Sequence, residues 1–152
     1  TIAGIPIGKE ITKNAPFTNG RNRYEETGSL IAVVATDAPL LPVQLKRMAA
    51  RVSLGMARTG GTSGNGSGDI FIAFSTADAG ESNPKNGLIK IETLSNNHIS
   101  GLFSAVALAT EEAIINALAA AETMTGRDDH TVIALPKDEL RALLKKYNRL
   151  LD

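Results

Sequence analysis

The sequence predicts a layered α/β sandwich. Short runs of apolar, β-branched residues alternate with segments of helical periodicity, in the order β-α-β-β-α-β-α. At 152 residues and 43% hydrophobic content, the chain can bury one good core. We therefore expect one compact unit in which helices cover sheet, and no internal repeat or interdomain linker is evident.

Two strands and one helix are predicted in the first half of the chain. Residues 29–36, SLIAVVAT, form an apolar run typical of a central strand buried on both faces. Apolar residues at spacings of three and four indicate one amphipathic helix over 41–58. The glycine-rich loop GGTSGNGSG at 60–68 then leads into a second strand, DIFIAFST at 69–76, which we expect beside the first in one sheet.

The second half predicts two strands and two helices. The long helix is rich in alanine, which favours close packing, and a glycine ends it. In chain order we expect a surface turn at 77–87, a strand at 88–94, a helix at 100–126, a strand at 130–136 and a terminal helix at 137–152.

Composition excludes several classes of function. The 16 basic and 16 acidic residues balance, so we expect neither nucleic acid nor a membrane as a partner. The absence of cysteine excludes disulfides, thiolate metal sites and cysteine nucleophiles. No apolar run approaches the roughly 18 residues of a membrane span. The opening TIAGIPIGKE reads as the middle of a longer product, and we expect a cytoplasmic protein, with a periplasmic location open because the true N-terminus is not seen.

Gly28-Ser29 is the first candidate for chemistry. A serine hydroxyl needs a base, and its own α-amine can serve once the preceding peptide bond is cut. Glycine at position 28 permits the strained backbone that attack on its own carbonyl requires. The dipeptide is therefore a candidate self-cleavage site with Ser29 as nucleophile; a strand that simply starts with a polar residue after a turn glycine is the alternative.

Ser67 and Asp69 form the second candidate. They stand at the mouth of the second predicted strand, one residue apart, and can point the same way in extended chain. A hydroxyl there can relay the proton of a nearby nucleophile, and a carboxylate can orient the relay. A phosphate cradle is disfavoured, because the loop lacks a Gly-Lys-Ser/Thr ending and leads into a strand.

Other polar residues favour structural roles. Thr1 is a weaker candidate for a terminal nucleophile. Asp37 is most simply a helix-start residue, with lining of the site as its alternative. No metal or other cofactor is expected, because neither histidine has a third ligand or a His-x-x-His partner. The remaining polar residues are interpreted as surface, helix-face or subunit-contact residues: His98, His130, Arg47, Arg51, Glu111 and Glu112.

Most of the chain resembles one family. Residues 28–77, which contain ATDAPLLP and NGSGDIF, look like the start of the β-chain of the DmpA/BapA family of L-aminopeptidase/D-esterases and β-peptidyl aminopeptidases. EEAIINALAAAETMTGRD and ALP are similar to the C-terminal part of that β-chain, and TIAGIPIG at 1–8 is similar to the end of the α-chain. Residues 1–28 are then the tail of the α-chain and 29–152 the β-chain, together one part of a catalytic domain whose remaining part is absent.

The resemblance implies an αββα sandwich of the DmpA/ornithine acetyltransferase type, Ntn-hydrolase-like with different connectivity. It implies that the precursor cleaves itself between Gly28 and Ser29, that Ser29 becomes the nucleophile, and that Ser67 and Asp69 support it. It further implies a small peptide, amide or ester substrate, the remaining α-chain as a partner, and a homo-oligomer of αβ units. The family's oxyanion-hole Asn and substrate-contacting Tyr belong to the absent part.

Three functions stay open at this point. The first is an autoprocessed serine aminopeptidase that acts through an acyl-enzyme. The second is a non-catalytic α/β binding or assembly subunit in which Gly28-Ser29 stays uncut. The third is acyl transfer of the ornithine acetyltransferase type, against which the usual threonine nucleophile of those enzymes counts.

Overall fold

The computed structural model describes residues 1–13, 28–77 and 85–150. Half of the predicted α-chain tail and most of the predicted turn at 77–87 lie outside these residues. The helices are α1 (Ile7–Glu10), α2 (Pro42–Ala49), α3 (Val52–Thr59), α4 (Ser100–Ala120) and α5 (Lys137–Lys146), and the strands are β1 (Ile31–Thr36), β2 (Ile70–Ser75), β3 (Met124–Thr125) and β4 (Thr131–Val132).

The first two predicted strands pair as expected. β1 and β2 are parallel neighbours, in a register that runs from Ile31 opposite Ile70 to Thr36 opposite Ser75. Their β-branched and aromatic residues suit a pleated, packed surface. The connection between them contains α2 and α3, as a parallel pair requires. Because the strands start side by side, the residues that precede them also lie together.

The core lies between this sheet and the helices. Met48, Val52 and Val106 are buried together, one residue each from α2, α3 and α4. Alternate side chains of both strands pack on this cluster. These inward-facing strand residues are Ala32, Val34, Phe71 and Ala73.

The opposite face of the sheet is exposed, so the expectation of a strand buried on both faces is wrong for the described residues. Ile31 is 69% exposed and Val33 61% exposed. The same face of β2 presents three further large apolar side chains, Ile70, Ile72 and Phe74. Within the described part of the chain, a single layer of helices covers the sheet, and it covers only the other face. Contiguous apolar surface of this kind is rare on a finished soluble domain.

The single helix predicted over 41–58 is two helices. The break lies at Ala50 and Arg51, where the Arg51 N–H donates to the carbonyl of Met48 instead of Arg47. The apolar spacing continues through the break because both residues keep helical dihedral angles. Hydrophobic periodicity alone therefore could not reveal the interruption.

The strand predicted at 88–94 does not form. Its large apolar side chains Leu88, Ile89 and Ile91 are exposed. Only its end is anchored: the Leu94 N–H donates to the Pro39 carbonyl at 2.8 Å, and the buried Gln44 side chain donates to the Leu94 carbonyl at 2.8 Å. The described residues offer this segment no neighbouring strand, and a strand needs a partner for its backbone groups.

Three boundaries in the C-terminal half also differ from prediction. The long helix ends at Ala120, six residues before the expected Gly126, and β3 occupies part of the difference. The strand predicted at 130–136 is reduced to β4, which pairs with β3 as a short antiparallel hairpin. α5 ends at Lys146, so the predicted terminal helix is shorter than 137–152.

α4 packs against α3 at a close crossing. A methyl group on Gly55 would lie 2.5 Å from the carbonyl oxygen of Ala107 and 2.5 Å from Cβ of Thr110. By length and composition alone α4 could also cross a membrane, in contrast to the expectation that no apolar run of the sequence is long enough. The ion pair between Arg58 and Glu111 joins α3 to the middle of this helix.

The N-terminal segment is attached at both ends. The backbone nitrogen of Thr1 donates to the Thr59 carbonyl, and its hydroxyl donates to the Arg58 carbonyl, both at the C-terminal end of α3. At α1, Glu10 accepts a hydrogen bond of 2.7 Å from the Tyr147 hydroxyl and lies 3.6 Å from the Lys146 ammonium. Residues 1–13 therefore bridge α3 and the end of α5.

Candidate active site

Ser29 lies just before β1 and is exposed. The strand begins at Ile31, so Ser29 precedes the sheet instead of opening it. Its Oγ accepts a hydrogen bond of 2.9 Å from the backbone N–H of Gly68. A Cβ on Gly68 would lie 3.6 Å from that oxygen, which is ordinary contact distance. The nucleophile candidate is therefore held against the end of the glycine-rich loop.

The Asp69 carboxylate binds on both of its oxygens. Oδ1 accepts the N–H of Leu30 at 2.8 Å, and Oδ2 accepts the hydroxyl of Ser63 at 2.9 Å. Hydrogen bonds from the Ser67 hydroxyl, the Leu30 N–H and the Ser63 hydroxyl hold the pKa of Asp69 below its ordinary value. Asp69 therefore stays ionised to lower pH than a free aspartate.

The two strand starts explain why these groups meet. The Ile70 N–H donates to the Leu30 carbonyl at 2.9 Å, while the Leu30 N–H donates to Asp69. Both backbone groups of Leu30, its N–H and its carbonyl, are thus hydrogen-bonded to Asp69 and Ile70. Since β1 and β2 are parallel, their N-terminal ends lie at one edge of the sheet.

The three candidate residues come together, with contacts that differ in part from expectation. Asp69 contacts Leu30, the neighbour of Ser29 in sequence, and so acts on Ser29 through the backbone. The Ser67 hydroxyl interacts with the Asp69 carboxylate and lowers its pKa. No direct hydrogen bond joins Ser67 to Ser29 among the described contacts. The relay role of Ser67 stays a prediction.

Gly28 does not carry the strain that the sequence suggested. Its φ lies outside the left-handed region, and a Cβ there would meet nothing within 4 Å. Neither observation requires glycine at this position. The structure thus gives no support to the strain argument for a self-cleavage site.

Sequence reasoning missed two groups of this site. Ser63 is one of several small polar residues in the loop, and nothing in its spacing separates it from Thr62. The Gly68 N–H is a backbone donor, and its role depends only on where the loop runs. The N-G-S-G-D pattern could have indicated a donor beside Ser67, but not its target.

The remaining candidates lie elsewhere or act structurally. Asp37 does not start a helix: α2 begins at Pro42, and the Gln44 side chain accepts the Leu41 N–H at 2.8 Å. Arg47 and Arg51 are not simply solvated, because their guanidinium carbons lie 5.0 Å and 4.3 Å from the ring centre of Phe103.

Both histidines and one glutamate lie on the surface. His98 ends a short 3-10 turn, His130 follows another such turn, and Glu112 is exposed on α4. The described residues contain no cluster of three His, Cys, Asp or Glu side chains that could hold a metal ion. Metal-free chemistry stays a prediction.

An apolar groove runs between β1 and α4. Its volume is about 610 Å³, and its lining comes from both elements, with Met48 of α2. The groove starts at Leu30, the residue that follows Ser29.

The chain is similar to several known proteins over nearly its whole length. The beta-peptidyl aminopeptidase BapA of Sphingosinicella microcystinivorans is 48% identical over 158 residues, 98% of this chain and 40% of that protein. The l-aminopeptidase d-ala-esterase/amidase from Ochrobactrum anthropi, described as a prototype for the serine aminopeptidases and a variant of the ntn hydrolase fold, matches with a TM-score of 0.83 and 40% identity over 99% of this chain and 40% of its own. The PH0078 protein from Pyrococcus horikoshii OT3 matches with a TM-score of 0.82 and 49% identity over 98% of this chain and 39% of its own.

These matches confirm the predicted fold class, an α/β fold of the Ntn-hydrolase type. The chain spans about two fifths of the length of the relatives that it matches. The model of peptidase family S58 matches residues 1–132. Since that match covers most of the chain, the protein belongs to peptidase family S58.

Proposed function

We propose that the full-length protein is a self-processing serine aminopeptidase. Ser29 is its nucleophile, and cleavage between Gly28 and Ser29 frees the α-amine that acts as base. The observation that carries this proposal is the contact of Ser29 Oγ with the Gly68 N–H at 2.9 Å, beside a carboxylate that binds the next backbone N–H. Residues 1–28 are then the tail of an α-chain and 29–152 a β-chain.

The proposed reaction has two steps. The Ser29 α-amine takes the Oγ proton as Oγ attacks the substrate carbonyl, and the proton then passes to the leaving amine or alcohol. The product is an ester between Ser29 and the acyl group. Water, deprotonated by the same amine, hydrolyses this ester and restores the hydroxyl. Asp69, through Leu30, holds Ser29 in place, which favours a reaction-ready geometry.

The substrate class follows from the relatives' names. One relative is a beta-peptidyl aminopeptidase and another an l-aminopeptidase d-ala-esterase/amidase. We propose short peptides, amides or esters with a free N-terminal amine as substrates. The choice among α-, β- and D-configured residues depends on a pocket to which the rest of the protein contributes.

The exposed face of the sheet supports the proposal that another part of the full-length protein packs on it. Ile31, Val33 and Ile72 are large apolar residues in an unbroken patch, and this chain leaves about three fifths of the length of the Sphingosinicella microcystinivorans relative uncovered. We propose that the remaining α-chain covers this face, where burial would remove the patch from water at about 25 cal/mol per Å². Assembly of the αβ units into a homo-oligomer is part of the same proposal.

Mass spectrometry of the full-length protein tests the function. Wild type is expected to yield a fragment that begins at Ser29, whereas Ser29→Ala stays one uncut precursor. Ser53→Ala is the matched control, because the Ser53 hydroxyl donates only to Ala50 within the helical region and lies outside the site. Normal maturation of Ser29→Ala would assign the cut to another protease and remove the main support for the nucleophile.

Hydrolysis of a panel of aminoacyl p-nitroanilides measures the activity of the processed protein. Release of p-nitroaniline by wild type and not by Ser29→Ala is expected. An uncut and inactive wild type would favour the non-catalytic binding or assembly subunit. Turnover only when an acceptor amine is added would favour an acyltransferase of the ornithine acetyltransferase type.

Chelation tests whether the chemistry is metal-free. The proposed mechanism draws its base from the Ser29 amine, and the chain has no cysteine. EDTA is therefore expected to leave the hydrolysis rate unchanged. Loss of activity with EDTA and recovery with zinc or manganese would contradict the mechanism.

A further inference from the structure

Ser63 contacts the site from the far side of Asp69. Its hydroxyl donates to Asp69 Oδ2 at 2.9 Å, while Oδ1 of the same carboxylate accepts the Leu30 N–H at 2.8 Å. Each further hydrogen bond to a carboxylate restricts rotation about its χ2 bond, which otherwise has a broad energy well. Held on both oxygens, it presents Oδ1 to Leu30 in one orientation.

The backbone of Ser63 is unusual for this residue type. Its φ is 50°, in the left-handed region that glycine adopts most readily. A residue with a Cβ adopts this conformation less readily than glycine. Glycine is the commonest residue of the surrounding loop, yet this left-handed position has a hydroxyl. Conformational preference therefore does not account for the serine, whereas its hydrogen bond to Asp69 does.

We propose that Ser63 is a positioning residue for Ser29, acting through Asp69 and the Leu30 N–H. The proposal rests on the proposed function, in which Ser29 is the nucleophile. Ser63 does not contact Ser29: its hydroxyl fixes the carboxylate, the carboxylate fixes the Leu30 amide, and that amide follows Ser29 in the chain. Small displacements of a nucleophile are costly, since misplacement by about 1 Å can reduce a rate roughly 10²-fold.

Two substitutions separate the hydroxyl from the backbone. Ser63→Gly removes the hydroxyl and suits the left-handed φ, whereas Ser63→Ala removes the hydroxyl and keeps the unfavourable φ. Ser63→Asn keeps hydrogen-bond donors, and asparagine tolerates this conformation. Thr62→Ala is the matched control, an exposed neighbour in the same loop. If Ser63 only shaped the loop, glycine would be at least as good as serine.

The kinetic readout uses the full-length, processed enzyme and a p-nitroanilide that wild type hydrolyses. Ser63→Gly and Ser63→Ala are each expected to lower kcat roughly 10-fold or more with little change in KM, because the hydroxyl orients the nucleophile and does not bind substrate. Ser63→Asn is expected to retain more activity than either, and Thr62→Ala to match wild type. Wild-type kcat in Ser63→Gly would overturn the proposal.

A second readout does not depend on activity. The pKa of the Asp69 carboxyl, measured by NMR, is expected to rise in Ser63→Gly and Ser63→Ala, since each loses one hydrogen bond to the ionised form. Among the described residues, Ser67, Leu30 and Ser63 lower this pKa. The pKa is compared between processed proteins, because cleavage adds the charge of the Ser29 amine near the carboxylate. An unchanged pKa in both variants would overturn the Ser63 contact, whereas an inactive, uncut wild type would overturn the proposed function.

Discussion

At the scale of single residues, the carboxylate of Asp69 organises the candidate site. Its hydrogen-bond donors come from two places: the loop supplies Ser63 and Ser67, and the start of the first strand supplies Leu30. The sequence alone identified the serine and the aspartate of this glycine-rich loop as candidate catalytic residues. Which atoms they bind was not, because a loop of glycines leaves the chain many paths.

Ser67→Ala is expected to lower kcat of the processed enzyme by roughly 10² or more, the scale for loss of a positioned proton-transfer group. The physical reason is the loss of a hydroxyl beside Asp69 at the edge that carries Ser29. Stopped assays on matched amounts of folded, cleaved enzyme measure it, with Ser53→Ala as control. Near-normal kcat in cleaved Ser67→Ala would show that the N-G-S-G-D segment has only a structural role, as a turn.

Asp69 also predicts how stability depends on pH. Its pKa is lower in the folded protein than in the unfolded chain, chiefly because the Ser67 hydroxyl, the Leu30 N–H and the Ser63 hydroxyl bind the ionised form. Its stabilising contribution is therefore complete above the ordinary pKa of about 3.9 and is lost as the pH falls through the lower folded-state value.

Urea unfolding of wild type and Asp69→Asn at a series of pH values measures this contribution. The difference in stability between the two is expected to be constant near neutral pH and to shrink below about pH 4. A difference that grows as the pH falls would contradict a folded-state pKa of Asp69 below the unfolded-state pKa.

At the scale of elements, the contact between α3 and α4 depends on one glycine. Gly55 brings the two helices so close that a methyl group would meet the Ala107 carbonyl oxygen at 2.5 Å. Because the contact involves backbone, the helices must separate to admit a side chain. A glycine inside a helical pattern marks either close packing or a break, and Gly55 marks close packing.

Gly55→Ala is expected to lower the free energy of unfolding by roughly 1 to 3 kcal/mol, the typical cost of overpacking, despite the better helix propensity of alanine. Gly101→Ala is the control: it lies in the first turn of α4, and a Cβ there meets nothing within 4 Å. That variant is expected to be neutral or stabilised by up to about 1 kcal/mol. Urea denaturation of both measures the difference, and equal stability of the two would contradict the close crossing.

At the scale of the whole molecule, α1 near the start of the chain contacts the end of α5. Glu10 accepts from the Tyr147 hydroxyl at 2.7 Å and lies 3.6 Å from Lys146, while Ile5 and Ile7 are buried. The same hydrogen bond raises the pKa of Tyr147, because it favours the protonated phenol. If the chain is cut before Ser29, these contacts become contacts between two chains.

Tyr147→Phe is expected to lower the free energy of unfolding only slightly, because it removes one exposed hydrogen bond. Adding Glu10→Ala is expected to cost less than the sum of the single changes, since both remove the same hydrogen bond. Lys145→Gln, on an exposed site of the same helix, is the control. Strict additivity in urea unfolding would show that the two residues do not interact.

The sequence by itself determined what local pattern and residue chemistry can express. Periodicity identified β1, β2 and the existence of the main helices, and residue type identified Ser29, Ser67 and Asp69 as candidates whose side chains or neighbours meet. The parallel pairing of the two strands was predictable because a long helical connection favours it.

Only the tertiary structure decided the break at Ala50 and Arg51, the contact of Ser63 with Asp69, the Gly68 N–H on Ser29, and the unpaired segment at 88–94. Each of these depends on where distant parts of the chain lie. A strand also forms only beside a partner, and an apolar face is buried only beneath another layer. Those conditions belong to the assembled molecule, and no local pattern in residues 88–94 or in β1 can express them.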